Sequence, residues 1–132
     1  LLAHEACSSS TVGVTGFCMG GMLTLMIAAL EGDRVSVAVP FYGAPLGDAG
    51  PDWSGLTAKV EGHFAADDDF FPPDAVTALQ DELRAMGKNV TFTVYEGTGH
   101  GFTNEENPLG TYDEEATGTA FSRGLELLNT IS

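Results

Sequence analysis

The chain reads as an α/β protein built on a parallel sheet of about four strands flanked by helices. Three observations lead there. Segments with strand character alternate with segments of helical character along the length. Most of the strand segments are continuously apolar, as in a sheet covered on both faces. Cys18, the aspartates from Asp67 to Asp69, and His100 each lie just past the end of a strand segment, where open α/β sheets keep their ligand crevices. With 132 residues, 43% of them hydrophobic, a single domain with a real core is expected.

Taken in order, Leu1 to Cys7 reads like the end of a helix already under way, and Ser8-Ser9-Ser10 as a linker into the first strand, Thr11 to Gly16. The chain is expected to lack its natural beginning. The next helix, Cys18 to about Leu30, is apolar nearly all round (Met22, Leu23, Leu25, Met26, Ile27, Leu30), so it is expected to be buried. Gly32 stands where a C-terminal cap belongs. The second strand, Val35 to Val39, is expected to stop at Pro40, which has no N–H for a ladder. A loop rich in Gly, Pro and Asp follows to about Leu56, and Trp53 within it is either a pocket wall or a plug over the core. The third strand, about Lys59 to Ala65, runs into Asp67 and a Phe-Phe-Pro-Pro segment whose prolines suit a helix start. Val76, Leu79, Leu83 and Met86 make one apolar helical face, and Gly87 ends that helix. The fourth strand, Asn89 to Tyr95, alternates apolar and polar residues, as a half-exposed strand near a sheet edge does. A last helix, about Asp113 to Asn129, is expected to turn Ala120, Phe121, Leu125 and Leu128 inward.

Charge excludes some functions. There are 19 acidic residues against 5 basic ones, for a net charge of −14. Arg34, Lys59, Arg84, Lys88 and Arg123 are too scattered to build a basic patch, so neither nucleic acid nor an anionic membrane surface is an expected partner. No apolar run is long enough to span a bilayer. Cys7 and Cys18 form neither a disulfide framework nor a C-x-x-C pair; a thiol-redox role is disfavoured, and a reduced, cytoplasmic setting is expected.

The chemistry gathers at Gly16-Phe17-Cys18-Met19-Gly20-Gly21. This is the cysteine form of the G-x-S-x-G elbow, in which a sharp strand-to-helix turn presents a nucleophile. Small residues two before and two after Cys18 are expected to keep the corner tight, because a Cβ at either place would crowd it. The following helix directs its positive N-terminal end at the sulfur. His100, in Gly99-His100-Gly101, is placed to accept the thiol proton, and a carboxylate from Asp67–Asp69 would fix the imidazole tautomer. The backbone N–H of Met19 is a candidate oxyanion donor. Phe17, Tyr42, Trp53, Phe70 and Phe102 are candidates for lining a substrate pocket. His63 and His4 read as structural or surface residues. No ligand spacing supports a metal site, and no cofactor is implied.

These blocks, in this order, resemble the dienelactone hydrolases (carboxymethylenebutenolidases), cysteine members of the α/β-hydrolase fold. Gly16–Gly21 is similar to the family's nucleophile block, Phe41-Tyr42-Gly43 to a strand end, His63 to Pro72 to the acid block, and Tyr95 to Phe102 to the histidine block. Tyr112 and the helix to Leu128 are similar to its closing helix. The resemblance implies Cys18 as nucleophile, His100 as base and, among the three aspartates, Asp68 as orienting acid. It implies a C-terminal half only, with the family's N-terminal strands and second oxyanion donor absent from this sequence. Dienelactone-specific members carry an arginine after the histidine to hold the substrate carboxylate. Here Thr103, Asn104, Glu105 and Glu106 follow Phe102, which points to a different ester or lactone. Two readings follow: a cysteine hydrolase acting through a thioester, or an incomplete hydrolase fragment serving as an assembly module. In either, the first strand would have a bare edge, a route to pairing with another chain, homo-oligomers included.

Overall fold

A computed structural model describes all residues, 1–132. Its sheet has four parallel strands in sequential order, β1 (Val12–Phe17), β2 (Val35–Phe41), β3 (Lys59–Asp67) and β4 (Val90–Gly99). Three helices cover it: α1 (Met19–Glu31), α2 (Pro73–Ala85) and α3 (Glu114–Leu128). Parallel strands put every strand C-terminus on one side, so Cys18, Asp68 and His100 all emerge at the same end. No helix is long and apolar enough to cross a membrane.

Two apolar layers hold the sheet. Leu25 and Ala28 of α1, Val76, Leu79 and Leu83 of α2, and Ala38, Val60 and Phe64 of the strands form one. Val37, Val39, Phe41, Ala65, Phe102, Ala116, Ala120 and Leu127 form the other. β2 contributes to both because its side chains alternate, Val37 and Val39 to one layer and Ala38 to the other. Each fully buried Leu, Val or Phe stabilises the fold by about 1.5–3 kcal/mol of transfer free energy.

Four expectations need correction. β2 does not stop at Pro40. It runs on to Phe41, with Pro40 paired to Gly16 of β1. Tyr42 N donates to His63 O on the β3 side, and backbone groups alternate, so the missing N–H of Pro40 also faces β3. There the pairing skips from Ala38 to Phe41. α1 is not buried all round. Leu25 is fully enclosed, but Met19, Leu23, Ile27 and Leu30 are exposed, because the sheet has no strand beyond β1 to cover them. α3 turns Ala116, Thr117, Ala120, Gly124 and Leu127 inward, while Phe121 and Leu125 face out. Leu1 to Cys7 forms successive turns, closed by His4 N to Leu1 O and Cys7 N to His4 O, and no helix.

The remaining elements follow their local chemistry. Gly32 closes α1 at φ 53°, its N–H bonded to Ala28 O. Pro73 opens α2 at a position where a missing N–H costs nothing. The Asp113 side chain accepts from Ala116 N to cap α3. β4 is a sheet edge, as its alternation implied.

Candidate active site

The site begins at a strained corner. Cys18 joins β1 to α1 at φ 56°, ψ −122°, a conformation that L-residues rarely adopt and that persists only where the surroundings enforce it. The enforcement is visible. Cys18 N donates to Phe41 O at 3.0 Å, and Cys18 O accepts from Gly21 N and Met22 N. A Cβ on Gly16 would overlap the Gly20 carbonyl, and one on Gly43 would overlap the Cys18 carbonyl. Gly21 is similarly tight, with a Cβ there only 2.7 Å from Phe41 O. Gly20 is the exception: a Cβ there would meet nothing within 4 Å. The expected crowding therefore acts at Gly16 but not at Gly20; Gly21 and Gly43 supply the other close approaches.

At this corner the sulfur is exposed and stands 3.1 Å from His100 Nε2. The imidazole in turn places Nδ1 2.8 Å from Asp68 Oδ2. Asp68 is the buried member of its run, its side chain fully enclosed, whereas Asp67 and Asp69 are exposed. Its other oxygen, Oδ1, accepts from Phe70 N at 2.9 Å and Phe71 N at 3.0 Å. An ionised carboxylate only accepts, so for a neutral imidazole this bonding assigns the proton to Nδ1 and the Nε2 lone pair to the sulfur. Aromatic rings hold the imidazole on several sides: Phe70 at 4.8 Å, Phe71 at 5.9 Å and Tyr42, edge-on, at 5.2 Å between centroids. The His100 carbonyl accepts from Thr111 Oγ1 at 2.6 Å. Met19 opens α1, where a backbone N–H has no intrahelical acceptor and is free for an anion.

The aromatic pocket candidates divide. Phe17 and Phe70 are exposed beside the corner and the imidazole. Tyr42 and Phe102 are buried and pack against each other behind His100, so they support the site instead of lining open space. Trp53 is a plug, buried in the core layer with Leu25, Ala29 and Leu56. Two recesses near the sheet are lined by none of the three residues. One of about 430 Å³ opens against Val12 and Val35, at the opposite end of the strands. Another, about 170 Å³ and apolar, lies between β1 and α3 beside Phe17, Phe41 and Phe121.

His63 is fully buried in β3, with Nδ1 2.9 Å from Tyr95 Oη and Nε2 unpartnered. Burial first, and Arg123 second, push its pKa down to about 4, so it is neutral, and it stands apart from Cys18, Asp68 and His100. His4 is exposed in the N-terminal turns. The buried hydrogen bond between Tyr42 Oη and Thr103 Oγ1, 2.8 Å long, was not foreseen, because its partners lie 61 residues apart.

A family model, described as the dienelactone hydrolase family, matches residues 1–132. Among curated relatives, protein usf of Aquifex pyrophilus is 34% identical over 99 residues, covering 75% of this chain and 42% of that protein. Carboxymethylenebutenolidase 1 of Cupriavidus pinatubonensis is 28% identical over 121 residues, covering 92% and 49% respectively. The crystal structure of a dienelactone hydrolase-like promiscuous phosphotriesterase from metagenomic libraries superposes with a TM-score of 0.86 at 24% identity, covering 100% of this chain and 57% of that one. The chain spans just under half the length of these curated relatives.

Proposed function

This chain belongs to the dienelactone hydrolase family, and from that premise we propose that it hydrolyses a carboxylic ester or lactone through a thioester on Cys18. The observation that carries the reading is the unbroken chain Asp68–His100–Cys18, at 2.8 and 3.1 Å, ending on a nucleophile held at positive φ.

The proposed steps use these three side chains and the Met19 N–H. Nε2 of His100 takes the Cys18 proton as Sγ attacks the acyl carbon. Asp68 steadies the imidazolium through Nδ1–H. The developing oxyanion is received by Met19 N–H; one such donor typically accelerates a reaction about a hundred- to a thousandfold. Collapse expels the alkoxide, which takes the proton from Nε2 and leaves the thioester. Water, deprotonated by Nε2, then attacks the thioester. The second tetrahedral species expels Sγ, which recovers the proton and releases the acid. For a lactone, alcohol and acyl group leave as one molecule.

The cations bear on the substrate. Arg34 pairs with Glu31 and Arg123 with Glu61. Arg84 donates to Val90 O and Lys88 to Ser54 O. Lys59 opens β3, at the end of the sheet opposite Cys18. This chain offers no cation beside the sulfur, which favours a neutral ester or lactone over an anionic one.

The test is an aryl acetate assay. Turnover abolished in Cys18→Ala and by iodoacetamide, with an acetyl adduct of Cys18 trapped by mass spectrometry, supports the reading. A folded chain with no turnover and no adduct refutes it for these 132 residues. That result would favour the second reading, an assembly module, which rests on the exposed apolar residues around β1 (Met19, Leu23, Ile27, Phe121 and Leu125).

A further inference from the structure

Tyr42 touches both halves of the site from a buried position. Its backbone belongs to the nucleophile side. Phe41 O, one residue before it, accepts from Cys18 N, and Gly43, one residue after it, lies so close to the Cys18 carbonyl that no side chain fits. Tyr42 itself sits at φ 33°, with its N–H bonded to His63 O at 2.7 Å. A bulky residue at positive φ is a strained element that the structure must hold in place. Its side chain belongs to the histidine side. The ring edge meets the imidazole at 5.2 Å, and Oη is 2.8 Å from Thr103 Oγ1, three residues past His100. Both residues are buried, at 4% and 8% exposure. The segment beyond is anchored too: Phe102 O accepts from Asp113 N and from Thr117 Oγ1. Burial pushes the Tyr42 phenol above its usual range, so its O–H persists at neutral pH.

We propose that Tyr42 and Thr103 form a positioning pair that sets the distance between His100 Nε2 and Cys18 Sγ. The inference rests on the reading of Cys18 and His100 as a nucleophile and its base. The corner is fixed to the end of β2, and the histidine follows β4, two strands away. The Tyr42–Thr103 bond is a direct side-chain link between these two assemblies besides the reacting pair itself. The imidazole orientation is set by Asp68; its reach toward the sulfur is set by this bond. A residue that acts this way works only through His100.

That last property makes the proposal testable without a substrate. In a Cys7→Ser background, the rate of Cys18 alkylation by iodoacetamide at neutral pH is measured for Tyr42→Phe, Thr103→Val and Thr103→Ser, each with His100 intact and with His100→Ala. Circular dichroism checks each fold. With His100 present, Tyr42→Phe and Thr103→Val should each slow alkylation about three- to tenfold, the worth of one hydrogen bond, and Thr103→Ser should restore the rate. In the His100→Ala background neither should change it, because coupled residues lose their separate effects. Equal slowing with and without His100, no slowing by either variant, or failure of Thr103→Ser to restore the rate overturns the positioning role alone. If His100→Ala leaves alkylation by the otherwise unaltered chain unchanged, the nucleophile–base reading falls, and the pair with it.

Discussion

A carboxylate and an imidazole carry the sharpest residue-level consequences. Asp68 receives two backbone N–H bonds on one oxygen and His100 on the other. Asp68→Asn would keep the shape but turn an NH₂ group toward Nδ1. The imidazole would then carry its proton on Nε2 and lose its lone pair toward the sulfur. Aryl ester kcat should fall by about a hundredfold or more, with KM little changed; steady-state kinetics check this. His63 makes a different prediction, about stability. Its folded pKa of about 4 lies below the usual 6.5. Between those values the unfolded chain binds a proton that the folded chain refuses, so stability is highest above the window and falls as pH drops through it. Urea midpoints should show a loss on the order of 1 kcal/mol from this group between pH 7 and 5.5. His63→Gln should flatten that part of the profile. A wild-type profile no steeper than that of the variant would refute the assignment.

The corner between β1 and α1 is where sequence pattern and packing can be separated. Gly16, Gly20, Gly21 and Gly43 look alike in the sequence, but their surroundings differ. Gly43→Ala drives a methyl group into the Cys18 carbonyl and should destabilise by about 2–3 kcal/mol, as overpacking against fixed backbone does. Gly20→Ala meets open space within α1 and should be neutral or stabilising by up to about 1 kcal/mol. Denaturant melts of the two variants decide the matter. The same contrast explains what was legible. Element order, parallel topology and the end of the sheet bearing Cys18, Asp68 and His100 could be read because each depends on local periodicity and on the position of residues relative to strand ends. The choice of Asp68 among three aspartates came from the family's block pattern; geometry gives it a reason, since only Asp68 is buried. The exposure of Leu23 and Ile27, the passage of β2 through Pro40 and the link from Tyr42 to Thr103 were not legible. Each depends on what lies across the sheet or beyond its edge, and no local window contains that information.

Across the whole molecule the two sheet edges are unequal. At β4, Phe92 N donates to the Gln80 side chain of α2 at 2.6 Å, so an outward backbone group is already satisfied there. β1 has exposed apolar side chains on both flanks, Leu23 and Ile27 from α1 and Phe121 and Leu125 from α3, with Phe17 and Met19 at its end. An edge strand with apolar flanks is a template for pairing. A net charge of −14 opposes it, because two such chains repel over distances that salt shortens from about 30 Å at 0.01 M to about 3 Å at 1 M. The two forces give association a definite salt sign. At tens of micromolar, sedimentation velocity should find monomers at low salt and dimers or larger species as NaCl approaches 1 M, the reverse of what an ion-paired interface would show. Leu23→Glu with Leu125→Glu should restore the monomer at high salt while leaving the buried faces of α1 and α3 intact. A chain that stays monomeric throughout, or that associates best at low salt, would show that the β1 edge is not the surface through which copies meet.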